Sequence, residues 1–108
     1  MKVGDIVLIP FPFSSLTNVK LRPAVVICVT KDHFQDLTLC AISSVMPSQL
    51  NLNEIKLAPD SFNHLRKPSV LKVDRIVTLQ SKNVTASLGE LSPNHLVVFK
   101  ATFKALVD

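Results

Sequence analysis

The sequence predicts a mainly β fold: a small, mostly antiparallel barrel completed by one C-terminal α-helix. Three observations carry this. Apolar, β-branched runs of five to ten residues recur along the chain, separated by Gly, Pro and polar clusters. The connections are too short to hold the helical crossovers of a parallel sheet. Helical periodicity is confined to the tail, where Leu96, Phe99, Phe103 and Leu106 recur at spacings of three and four.

The first strand is expected over residues 5–10, "DIVLIP", with Gly4 before it. "FPFSSLTNVKLR" follows as a loop of about a dozen residues, long enough to suggest a function. "PAVVICVT", residues 23–30, is nearly all apolar and reads as a central strand buried on both faces. The polar "KDHFQD" turns the chain into a third strand, "LTLCAIS", residues 37–43. "LNLNEIKL", residues 50–57, alternates and suits a half-exposed fourth strand. "APDSFNHLRKP" is a connection with room for a short helical turn, and "SVLKVDRIVTL", residues 69–79, is a fifth strand. A further short strand is expected within "SKNVTASLGELSP". Ser92 then caps the helix, with Pro93 at its first position. The helix stripe is expected to pack on the core or on a second copy, not on a membrane.

Composition bounds the function. The chain has 108 residues, which sets one domain over residues 1–108 as the expectation. It is 47% hydrophobic and 19% charged, enough for a packed core. No apolar run approaches the ~20 residues of a membrane span. The opening "MKVGD" is not a secretory signal, so a cytoplasmic protein is expected. Cys28 and Cys40 lie within apolar runs and read as buried, reduced thiols. The formal charge of +4 permits a polyanionic partner without demanding one.

Motifs for familiar chemistries are missing. His33, His64 and His95 have no metal-ligand spacing. There is no G-x-S-x-G, no S-x-x-K and no glycine-rich phosphate loop, the only glycines being Gly4 and Gly89. No cofactor or metal is expected. What remains is a set of polar residues at strand ends: Arg22 before the second strand, Ser43 and Ser44 ending the third, and Lys72 and Asp74 two apart on the fifth. A fixed guanidinium, hydroxyl donors and a carboxylate near a cation are parts that a phosphoryl reaction needs. Taken singly, each is equally a solvated arginine, a turn or a surface ion pair.

"GDIVLIPFPF" at residues 4–13, followed by "RPAVVI" at 22–27, strongly resembles the opening of the MazF/PemK/Kid toxins. "AIS" at 41–43, "LRKPSVLKVDRIVTL" and "LGELSPNHLVVFKATFKAL" are similar to later segments of that family, in the same order. The resemblance implies an SH3-like barrel, a homodimer and the toxin half of a type II toxin–antitoxin pair. It also implies a metal-independent, sequence-selective endoribonuclease acting on single-stranded RNA, in which the ribose 2′-hydroxyl attacks the adjacent phosphorus. Carried over by position, Arg22 stabilises phosphoryl charge, Ser43 stands where a catalytic or phosphate-binding hydroxyl is usual, and Asp74 matches a general base. Ser44 and Lys72 become substrate-binding residues, Lys72 replacing an arginine of Kid-like members without its fork. The loop through residues 11–21, with Phe13, Thr17 and Lys20, becomes a lid over the RNA. The histidine that Kid-like members carry in this loop has no counterpart in residues 14–21. The implied partners are RNA, a second copy, and a cognate antitoxin whose acidic segment competes with RNA; DNA is reached, if at all, through the antitoxin. Two alternatives keep the fold: a gyrase poison of the CcdB type and an inactive binding module. The first depends on a C-terminal tryptophan and this chain has none; against the second stand Arg22 and the hydroxyl at residue 43.

Overall fold

The computed structural model describes residues 1–11 and 20–108, the side chain of Phe11 excepted. Six strands form one curled antiparallel sheet, a half-barrel: β1 (Asp5–Phe11), β2 (Lys20–Val29), β3 (Leu37–Ser43), β4 (Glu54–Leu57), β5 (Ser69–Leu79) and β6 (Ala86–Glu90), in the order β4-β5-β3-β2-β1-β6. Helix α1 (Pro93–Ala105) closes the chain. The predicted fold class holds, and β3 and β5 have the predicted limits.

The apolar runs are buried because the sheet is covered on both sides. Ile6, Val25, Cys40, Ile42, Leu71 and Val73 point to one face, where Phe99 of α1 completes the core. Val7, Ile9, Ala24, Val26, Leu37 and Leu39 form a second cluster on the opposite face. In β2 the consecutive residues Ala24, Val25 and Val26 are all fully buried, as expected of a central strand. The helix begins as its sequence dictates: Ser92 Oγ accepts from His95 N at 3.2 Å and Pro93 opens the first turn. Leu96, Phe103 and Leu106 pack around Phe99, so the stripe faces the core. Gly4 sits beneath it at φ +91°, where a Cβ would come within 2.8 Å of Leu96 Cδ1.

Four expectations need correction. The first hairpin is longer than predicted: Phe11 pairs with Lys20, Pro10 with Leu21 and Ile9 with Arg22. Pro10 is tolerated because β6 accompanies β1 only as far as Leu8, so no second ladder needs its missing N–H. The fourth strand starts at Glu54, not residue 50, because Asn51 Oδ1 accepts from Asn53 N at 2.8 Å and closes a turn that overrides the alternation. The 58–68 connection holds turns but no helix. Asp60 Oδ1 accepts from Phe62 N and Asn63 N, which winds a side-chain-capped turn instead. Cys28 is exposed, because the β2–β3 register shifts between Val26 and Cys28 and turns its side chain outward; only Cys40 is buried, and neither is in a disulfide.

The connection between β4 and β5 also seals the gap between the sheet's two edges. Glu90 N donates to Phe62 O at 3.0 Å, and His64 Nδ1 meets Leu88 O at 2.7 Å. Asn63, fully buried, holds this connection in shape. Its Oδ1 accepts from Asp60 N and Leu65 N, and its Nδ2 donates to Ala58 O at 2.9 Å.

Candidate active site

The cleft begins where a ladder stops. β2 and β3 pair only as far as Ala24 and Ala41, although β2 starts four residues earlier and β3 runs on to Ser43. Pro23 stands at the stopping point and has no N–H with which to extend the ladder. β3 instead stays with β5, pairing Ile42 with Leu71 and Ser43 with Val70. The first residues of β2 and the last of β3 therefore part, with Arg22 on one side and Ser43 on the other.

A second irregularity supplies the third wall. Opposite the bond between Cys40 and Ala41, β5 carries three extra residues, Val73, Asp74 and Arg75, before pairing resumes at Ile76. The peptide of Val73 is satisfied within this bulge: its N–H donates to Asn53 O at 2.9 Å, and its carbonyl accepts from Cys40 Sγ at 3.2 Å. Val7, Ala24, Ala41 and Lys72 form one cross-strand row, on the face away from α1. The result is a cleft of about 190 Å³ lined by Arg22, Ala41, Ile42, Ser43, Val45, Lys72 and Arg75.

Of the residues singled out from the sequence, Arg22, Ser43 and Lys72 meet in this cleft. Ser43 Oγ accepts from Val45 N at 3.1 Å, which orients the oxygen and leaves its O–H as the group to donate. Lys72 Nζ lies 3.7 Å from Glu54 Oε2, so a nearby carboxylate steadies it from outside the cleft. Ser44 and Lys20 line an adjoining cavity that also contains Arg22. Asp74 does not line the cleft; it is exposed, and Asn53 Nδ2 donates to its Oδ2 at 3.4 Å. Phe13, Thr17 and most of the loop predicted as a lid lie outside the described residues. Arg75 was missed by sequence reasoning. It follows the predicted acid by one residue, and only the bulge turns it toward Arg22 and Lys72.

Burial, and secondarily the negative charge of Asp74, push the Cys40 thiol up to about 12. It is a core donor, not a nucleophile. Among the described residues, no group of three His, Cys, Asp or Glu side chains is placed to hold a metal ion, and no helix is long and apolar enough to cross a membrane.

Over residues 2–107 the sequence matches the model of the PemK-like, MazF-like toxins of type II toxin–antitoxin systems. The chain belongs to this toxin family. Among curated proteins no sequence relative matches. MazF-like structures share the fold across large sequence divergence. An endoribonuclease in complex with its cognate antitoxin, from a mycobacterial species, superposes with a TM-score of 0.74 at 13% identity, covering 99% of this chain and 94% of its own. The Mycobacterium tuberculosis toxin MazF-mt6 gives 0.68 at 17% identity, covering 94% and 96%. MazF from Deinococcus radiodurans gives 0.70 at 21%, covering 99% and 96%. At these identities the likeness establishes the MazF fold for the chain, and the sequence match establishes the MazF-like toxin family.

Proposed function

We propose that this toxin is an endoribonuclease that cleaves single-stranded RNA in the cytoplasm without a metal ion. The observation that carries the reading is the convergence of Arg22, Lys72, Arg75 and the Ser43 hydroxyl on one cleft with no carboxylate in its lining. That set suits a phosphodiester, whose charge grows on the non-bridging oxygens as a fifth oxygen approaches phosphorus. The ribose 2′-oxygen forms the new bond, the P–O5′ bond breaks, and the products are a 2′,3′-cyclic phosphate and a 5′-hydroxyl. The 2′-hydroxyl proton goes to a base and the 5′-oxygen receives one from an acid.

In this reading Arg22 and Arg75 bind the phosphoryl oxygens by their planar forks, and Ser43 donates a further hydrogen bond. Lys72 adds point charge. Asp74, the one carboxylate on the bulge, is the candidate base; reaching the 2′-hydroxyl from its exposed position requires the bound strand to lie across the bulge. The toxin works as a homodimer, and a cognate antitoxin neutralises it by laying an acidic segment over the same cations.

The test is incubation of the purified protein with a long single-stranded RNA in EDTA, mapping cut ends. Cuts ending in cyclic phosphate and 5′-hydroxyl are expected. Arg22→Ala should lose about 100-fold or more in cleavage rate while keeping its fold and oligomeric state. Absence of cuts with the wild-type protein overturns the nuclease; cuts that need added metal overturn the mechanism.

A further inference from the structure

The Arg22 cleft does not end at Arg22. That residue also lines a second cavity of about 230 Å³ with Lys20, Leu21, Pro23, Ser44 and Ser69. Leu21, Pro23, Ser44 and Ser69 in turn line a third, of about 460 Å³, whose far wall is His64, Leu65, Arg66 and Lys67. The three form one trough. It starts on the sheet face away from α1, crosses the rim where β2 and β3 part, and ends beside the connection that seals the sheet's edges. The last cavity has the size of a small-ligand pocket.

The trough is electrically one-sided. Lys20, Arg22, Arg66, Lys67, Lys72 and Arg75 line it, six of the chain's twelve Lys and Arg, and no Asp or Glu lines any of the three cavities. A mixed surface with eight acids in the chain would be expected to intersperse them. The far end is also built rather than merely exposed. The buried Asn63 clamps the turn that carries His64 and Leu65 through three hydrogen bonds. His64 has the left-handed φ of 54°, and its Nδ1 is 2.7 Å from Leu88 O. A carbonyl only accepts, so Nδ1 carries the proton and the ring's tautomer and orientation are set. Gly89 allows this approach, since a Cβ there would lie 2.3 Å from Phe62 O and 3.1 Å from His64 Nδ1.

We infer that the His64–Lys67 cavity is a second subsite for the same nucleic-acid strand, taking a nucleotide beyond the scissile one, with Arg66 and Lys67 on its phosphate and the fixed His64 ring beside its sugar or base. The inference rests on the proposed RNA substrate but not on cleavage. Separated cations joined by a polar trough suit a backbone of spaced charges better than one compact anion. The subsite lengthens the footprint past the reacting bond, and binding there positions the strand for cleavage.

The test is binding of a random-sequence single-stranded 20-mer, 2′-O-methylated throughout so that it cannot be cut, across a range of salt concentrations. For Arg66→Glu/Lys67→Glu we expect affinity to fall at least tenfold at low salt, and the log–log salt slope to drop by about 1.4, at about 0.7 per phosphate on a single strand. The control is Lys100→Glu/Lys104→Glu, the same charge change on exposed residues of α1, which should keep the wild-type slope. Unchanged affinity and slope in the first variant, an equal loss in the control, or no binding by the wild-type protein would each overturn the subsite. So would polyglutamate, but not the 20-mer, depending on the Arg66–Lys67 pair. Cleavage of unmodified RNA is scored separately. A wild type that binds through Arg66 and Lys67 yet cuts nothing refutes the nuclease and keeps the subsite.

Discussion

Arg22 and Arg75 share a cleft but reach it by different routes. Arg22 is placed by local chemistry: Pro23 fixes its own φ, holds the preceding residue in extended geometry and stops the β2–β3 ladder. That is legible in the dipeptide Arg-Pro at the head of an apolar strand. Arg75 is placed by the three-residue bulge of β5, which exists only relative to the pairing of β3. No alternation in "LKVDRIV" announces it, and reading the segment as an unbroken strand directs attention to Asp74 instead. Arg75→Ala should lower kcat/KM on single-stranded RNA about tenfold or more with the thermal midpoint unchanged, read by steady-state cleavage beside differential scanning. A variant as active as wild type would make Arg75 a bystander in the cleft. The two thiols separate just as sharply. Cys28 is exposed, whereas Cys40 is buried and pushed up to about 12 by burial and by Asp74. Iodoacetamide at pH 8 should therefore label one thiol per native chain, at Cys28, and two in denaturant, which peptide mass mapping will assign.

At the scale of elements, the strands that match their predicted limits are those whose apolar runs end in a local stop signal. β3 ends at Ser43 ahead of a polar turn, and β5 begins at Ser69 after Pro68. The segments that do not match are governed by side-chain turns. Asn51 takes four residues from β4, and Asn63 organises the connection that carries His64 to Lys67. An asparagine in a polar stretch reads as a turn residue, but its sequence does not say that it will be fully buried or which three backbone groups it will serve. Asn63→Ala leaves Asp60 N, Leu65 N and Ala58 O without that partner. Urea denaturation should show a loss of about 1–3 kcal/mol at an unchanged m-value. If stability holds, the connection is not kept in shape by this side chain.

On the scale of the whole molecule, the ends of the sheet are tied by charge. Lys2 Nζ bridges Asp5 Oδ1 at 2.7 Å and Glu90 Oε2 at 2.9 Å, linking the start of β1 to the end of β6. Burial alone would raise Asp5, but its side-chain and backbone hydrogen bonds from Lys2 outweigh that and hold it below the usual carboxylate range. A depressed carboxylate contributes stability above its unfolded-state value, near pH 4, and loses it as pH falls through its folded value. The thermal midpoint of wild type should thus drop more steeply than that of Asp5→Asn below about pH 4, with the two curves parallel at neutral pH. Parallel curves throughout would remove the coupling. The trough also belongs to this scale. Its cations come from residues 20, 22, 66, 67, 72 and 75, and no local pattern marks them as neighbours; only the curl of the sheet and the sealing connection assemble them.

The halted ladder at Pro23 and the three-residue bulge of β5 give the cleft its opening and its depth through backbone alone. Neither device specifies which side chains stand in the walls. Lys72 and Arg75 are thus exchangeable furnishings in a frame that survives their replacement. Within such a frame, a lineage of toxins can revise which nucleotides it accepts by point substitution, without redesigning the scaffold that holds the reacting bond.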